Sequence, residues 1–132
     1  MLPAYRYVAT VSAVHDGDGF TADVDLGFGV WLRGQTFRLF GCNARELTEP
    51  GGPEARDALV GLLLDAGANV GTGHRGVILT SVKPDKYGGR WLARVTLPDG
   101  SDLVAGLVAD GWAAPWDGKG AKPVPPWPRP VT

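Results

Sequence analysis

Three short stretches of the chain carry residue types suited to phosphate chemistry. In Asp16-Gly17-Asp18 two carboxylates flank a glycine. Hard carboxylate oxygens at a turn suit a divalent cation, although Asp-Gly is also the commonest two-residue hairpin connection. Arg38 lies between Phe37 and Leu39, so on a strand it projects away from their apolar face. Beyond it, Asn43 and Glu46 fall within Gly41-Cys42-Asn43-Ala44-Arg45-Glu46-Leu47, a polar segment whose amide and carboxylate oxygens can join Asp18 around one ion. A carboxylate such as Glu46 in a loop is also an ordinary solvated side chain. The third stretch, Lys83-Pro84-Asp85-Lys86-Tyr87-Gly88-Gly89-Arg90, brackets a flexible turn with cations and a ring. It can grip a phosphate and stack a base or sugar, or be a plain hairpin turn with surface charge. Phosphodiester hydrolysis needs parts of all three kinds: a cation and guanidinium groups to neutralise the phosphoryl oxygens, and a carboxylate to orient or deprotonate water.

Positioning such groups requires a rigid frame, and the hydrophobic pattern supplies one. Phe20, Ala22, Val24 and Leu26 alternate with polar residues, the period of a half-buried strand. Tyr7, Ala9, Val11 and Ala13 alternate before it. A third strand region covers Val30 to Phe40 with a break near Gly34, and Val77–Leu79 and Trp91–Val95 read as the fourth and fifth. Pro53 suits a first helical turn, and apolar residues from Ala55 to Ala66 recur at three-to-four spacing up to Gly67. Gly61 weakens that helix. A shorter helix is expected from about Leu103 to Asp110, stopped by Gly111. Three strands, a helix, two strands and a helix suit a five-stranded β-barrel with helices, an α+β fold of the oligonucleotide-binding (OB) type.

The 132 residues are 44% hydrophobic and 20% charged, with a net charge of −1. That is one domain with its own core and too little charge imbalance for a disordered chain. Any nucleic acid must then be held by a local patch. No apolar run exceeds three residues, so no membrane span is expected. The first residues show no basic leader with an apolar segment, which predicts a cytoplasmic protein. A single cysteine, Cys42, excludes an intrachain disulfide and is expected to pack as a small apolar side chain. His15 reads as a turn residue, His74-Arg75 as a solvated loop, and Trp91 and Trp112 as core. Six of the eleven prolines lie at or after Pro115, which predicts an extended arm over 117–132, anchored by Trp116 or Trp127, following a domain over 1–116.

Taken together, VHDGDGFTADV, TFRLFGCNARE, PEARDALVGLL, DKYGGRWLARV and DGSDLVAGLVADGWA resemble, in order and spacing, the staphylococcal nuclease (thermonuclease) family, over roughly residues 7 to 116. The resemblance implies a calcium-dependent nuclease that cleaves DNA or RNA to leave 3′-phosphates. In that frame Asp18, Asn43 and the main-chain carbonyl of Ala44 are the metal ligands. Arg38, Glu46 and Arg90 are the catalytic residues, with Glu46 acting on the attacking water and the arginines on the phosphate. Lys86, Tyr87 and Trp116 contact nucleotide. A monomer is expected, similar to small phage and bacterial members of the family.

The chain also departs from the family pattern. Asn43 stands where a second metal-binding aspartate is usual, which removes one negative charge and predicts weaker cation binding or another divalent ion. Arg45 replaces a proline and Gly19 a threonine, Gly88-Gly89 adds one residue to the turn, and the proline-rich arm takes the place of a third helix. The competing expectations are a nucleic-acid-binding module without catalysis, and a structural or partner-binding component resting on the arm.

Overall fold

The computed structural model describes residues 5–65, 76–86 and 88–126. Strands β1 (Arg6–Asp16), β2 (Gly19–Gly27) and β3 (Val30–Leu39) form a meander; β4 (Cys42–Ala44) and helix α1 (Gly52–Val60) follow, and α1 runs into a π-helical turn (Gly61–Asp65). Then come β5 (Gly76–Pro84), β6 (Trp91–Thr96), α2 (Leu103–Ala109) and β7 (Ala113–Pro115). The sheet closes in the order β1-β2-β3-β6-β5, the expected five-stranded barrel with two helices. All its pairings are antiparallel except the seam, where Phe37, Arg38 and Leu39 lie parallel to Trp91, Leu92 and Ala93.

Alternation dictates the core. Ala9, Val11, Phe20, Ala22, Val24, Phe37, Leu39, Leu79, Ala93 and Val95 are all buried inside the barrel wall, and the Phe20 and Phe37 rings stack at 5.4 Å between centroids. Leu59 and Leu63, one helical turn apart, join this core with Leu103 and Leu107. Helix α2 begins at Asp102, whose Oδ2 accepts from the Ala105 N–H at 2.9 Å. It ends where expected: Gly111 takes φ 84°, and the Gly111 and Trp112 N–H groups donate to the Val108 and Leu107 carbonyls, a Schellman stop.

Several expectations need correction. The helix predicted up to Gly67 stays α-helical only to Val60 and widens at Gly61, where the missing side chain lowers helical preference. Its predicted end, with His74-Arg75, lies outside the described residues, as do Tyr87 and Trp127. The break foreseen near Gly34 is a register shift within one continuous strand, with Gly34 at φ 63°. A further shift between Asp25 and Gly27 leaves Leu26 exposed rather than inward. Trp91 is half-buried and borders an apolar cleft of about 360 Å³ at the barrel end formed by Tyr5, Tyr7, Leu26 and Leu32. Among the described residues, no helix is long and apolar enough to cross a membrane.

Gly17 carries the tightest packing near the β1–β2 turn. A Cβ there would lie 2.8 Å from the Ala44 Cβ and 2.9 Å from the Ala55 Cβ. Gly17→Ala is expected to push the turn off β4 and α1 and destabilise the fold by about 1–3 kcal/mol. Urea denaturation of the two proteins measures it, and an unchanged midpoint would show that this contact is slack.

Candidate functional site

The short turn between β1 and β2 places Asp18 against two other elements. Its carbonyl accepts from the Leu39 N–H at 2.8 Å, and its Oδ2 accepts from the Ala44 N–H at 3.1 Å. The Arg38 Nη2 lies 3.7 Å from the same Oδ2. Asp18 is only 8% exposed, and Asp16 reaches back, its Oδ1 accepting from the Asp18 N–H at 3.1 Å. Burial, then repulsion from Asp16, raises the Asp18 carboxyl from 3.8 to about 7, against the opposing pull of Arg38 and the Ala44 N–H.

Arg38 emerges from the outer face of β3, as its parity requires, while Phe37 and Leu39 face inward. Its largely buried side chain donates to the Asn43 Oδ1 at 3.4 Å and lies 5.8 Å from the centre of the Trp116 ring. The polar segment after β3 begins as a strand: Asn43 and Ala44 lie on β4, paired antiparallel with β7 so that Asn43 faces Ala114 and Ala44 faces Ala113. The Trp116 N–H extends this pairing by donating to the Gly41 carbonyl at 2.9 Å, which seats its ring beside Arg38. At Ala44, the contact made with Asp18 is through its N–H. Cys42, on the same strand, is buried, and burial pushes its thiol up to about 12.

Asn43 has its amide orientation set by two partners of opposite kind. A guanidinium only donates and a carbonyl only accepts, so Oδ1 faces Arg38 and Nδ2 donates to the Pro123 carbonyl at 3.0 Å. Glu46 lies apart from this cluster. Its side chain is 69% exposed and 3.8 Å from the Lys122 ammonium, while its N–H donates to the Glu49 carboxylate at 2.7 Å. Gly52 permits the fold of this loop, because a Cβ there would overlap the Glu46 carbonyl.

Arg90 is engaged at the wall of the Arg38 groove, which Asp85 lines. Its Nε donates to the buried Asp85 carboxylate, and its carbonyl accepts from the Asp85 N–H at 3.1 Å, closing the turn between β5 and β6. Lys86 lines the same groove as Arg38 and Trp116 and donates to the Gly118 carbonyl at 3.4 Å. The structure thus gathers Asp18, Arg38, Asn43, Ala44 and Trp116, brings Lys86 to the same groove, ties Arg90 to the groove-lining Asp85, and leaves Glu46 outside it. Tyr87 lies outside the described residues.

The groove itself, about 390 Å³, runs across the outer face of β3, β6 and β5 and is walled by Trp116–Lys119. Beside Arg38 it is lined by Phe40 and Lys83, to which motif spacing assigned no role. Phe40 follows the end of β3, with the Lys83 ammonium 4.1 Å and the Arg94 guanidinium 5.2 Å from its ring centre. Among the described residues, neither of these cations has a carboxylate within salt-bridge reach. The shared parity of Arg38 and Phe40 was the available signal; the pairing of Phe40 with β5 and β6 was not.

No grouping of three or more His, Cys, Asp or Glu side chains occurs among the described residues. The hard oxygen donors present are the Asp18 carboxylate and the Asn43 amide oxygen, both facing Arg38. No family model and no curated protein matches the chain.

The raised Asp18 carboxyl sets a pH dependence. Because its folded value exceeds the ordinary one, the folded state holds an extra proton between pH 3.8 and about 7, and stability falls as pH rises through that window. Asp18→Asn removes the titration. It is expected to raise the melting temperature by several degrees at pH 8 relative to the parent, and to change it little at pH 4. Melting curves at the two pH values decide; a gain at pH 4 as large as that at pH 8 would assign the effect to something other than the carboxyl.

Proposed function

We propose that the chain is a phosphodiesterase acting on nucleic acid, a calcium-dependent nuclease of the staphylococcal nuclease type. The observation that carries this is the meeting of Asp18 and Asn43 on Arg38, which lines a groove bordered by cations in a chain whose net charge is −1. Supporting it are the order and spacing of the five segments that resemble that family.

In this reading a scissile phosphate sits against the Arg38 guanidinium, which can present two donors to its oxygens. Trp116 offers a ring to the adjoining base or sugar, and Lys86 a charge to a neighbouring phosphate. Asp18 and Asn43 would hold the cation, which supplies charge neutralisation at the phosphoryl oxygens when bound. Asp18 must give up its proton first, so cation binding and cleavage strengthen as pH rises through about 7. Glu46 orients or deprotonates the attacking water. Past Arg38, the Lys83–Phe40–Arg94 cluster continues a track for further phosphates.

Cleavage of single-stranded DNA with calcium tests the assignment. Arg38→Ala is expected to slow it at least a hundredfold, about 3 kcal/mol of transition-state stabilisation, and Glu46→Ala to slow it by a comparable factor. Equal rates in parent and variants would place the activity in a contaminant or another site. The track is tested separately by binding. The double change Lys83→Ala, Arg94→Ala should make the salt dependence of binding shallower by about 1.4, two single-strand phosphate contacts. An unchanged slope removes the cluster from the interface.

A second reading, binding without cleavage, is favoured by two observations: Arg90 is bonded to Asp85, and Glu46 is not on the Arg38 groove. Tight binding of DNA with no products after long incubation in calcium at pH 8 would select it.

A further inference from the structure

Beyond β7 the chain turns back over its own site. Residues 117–126 form no helix or strand, and three of them engage the segment that carries Asn43 and Glu46. The Pro123 carbonyl accepts from the Asn43 Nδ2 at 3.0 Å, and the Pro125 carbonyl accepts from the Arg45 Nη2 at 3.1 Å. Lys122 places its ammonium 3.8 Å from the Glu46 carboxylate and 6.0 Å from the centre of the Trp116 ring. The two donors are two residues apart, and so are the two acceptors. That is the repeat of extended backbone, so side chains on one face of the 43–46 segment meet carbonyls on one face of the arm.

The match is chemical as well as geometric. An extended proline-rich segment is rich in carbonyl acceptors and poor in N–H donors. Asn43 and Arg45 supply donors to it. A carboxylate at position 43 would oppose one acceptor with another. The two residues that depart from the family pattern on this segment are therefore the two that hold the arm.

The arm borders two spaces. Trp116–Lys119 wall the groove that holds Arg38; Lys122–Pro125 line another, about 230 Å³, with Asn43, Glu46 and Glu49. Arg38 does not line the second, and Glu46 does not line the first. Asn43 stands between them, its oxygen on Arg38 and its nitrogen on the arm. A phosphodiester attacked by water from Glu46 while held by Arg38 must occupy both spaces at once.

We infer that residues 122–125 are a releasable strap, latched by Asn43 and Arg45, that keeps the arginine and carboxylate halves of the site apart. Lifting it joins the two spaces into one cleft. A nucleic-acid strand is itself the competitor that lifts it, because it needs the same cleft and its phosphate oxygens are stronger acceptors than the arm's carbonyls. The inference rests on the phosphodiester reading, and its effect is on strand binding before any chemistry.

Fluorescence anisotropy with a labelled ten-nucleotide single strand, without divalent cation, tests it on the full chain and on the full-length Arg45→Ala variant. Unlatching is expected to tighten binding roughly tenfold, since the open form no longer has to be drawn from a minor population. Charge alone predicts the opposite, because the variant loses a cation. Binding by Arg45→Ala equal to or weaker than that of the full chain overturns the strap and leaves the phosphodiester reading standing. Binding by neither, with no binding or cleavage when calcium is added, overturns that reading, and the strap with it. Should Arg45→Ala fail to fold, as a melting curve would show, full-length Asn43→Asp takes its place, since a carboxylate there faces the Pro123 carbonyl with no donor. That variant gains a negative charge, so the same sign argument applies.

Discussion

One buried carboxylate ties the site to the barrel. Asp18 stands on the first hairpin turn, yet its oxygens and carbonyl engage β4 through Ala44, β3 through Leu39, and the Arg38 guanidinium. Removing a charged group from water is unfavourable unless such partners compensate, and the upward shift of its carboxyl shows that they do so only in part. The arrangement therefore keeps a strained acid next to a nearly buried arginine. A second positive charge arriving at Asp18 would stabilise the ionised form that the fold alone disfavours. That is the physical basis on which a cation and the protein can favour one another here.

The barrel was legible because strand alternation and core burial are the same fact seen twice. Phe20, Ala22 and Val24 point inward wherever period two holds, and the pattern fails where a register shift intervenes, as at Leu26. Helix α2 was equally readable, since Asp102 and Gly111 are local signals acting on neighbouring backbone groups. Strands β4 and β7 were not. Three residues are too few to show a period, and each exists only because the other lies beside it. The widening of α1 at Gly61 also needed the packing to decide it.

The site was partly legible for the same reason. Arg38 could be assigned a face from parity alone, and the turn carrying Asp18 from its composition. Arg90 could not be placed, because its partner Asp85 is a property of how the β5–β6 turn closes. Glu46 and the arm illustrate the limit more sharply: Asn43 and Pro123 are eighty residues apart, and no local pattern encodes their hydrogen bond. The parallel seam belongs to this class too. It joins β3 to β6 over a long sequence separation, Phe37 to Trp91, so the groove face is assembled late in any order of contact formation that favours short loops.

Cys42 has a practical corollary. It lies on the strand that carries Asn43, is 2% exposed, and keeps its proton far above neutral pH. Thiolate is the reactive species, so the chain's only sulfhydryl is chemically silent while the barrel stands. Disulfide-linked dimers and alkylation then report loss of structure, and a maleimide dye added to a cysteine engineered elsewhere attaches at that one position. The native sequence thus comes ready for spectroscopic labelling without first deleting a residue from its core.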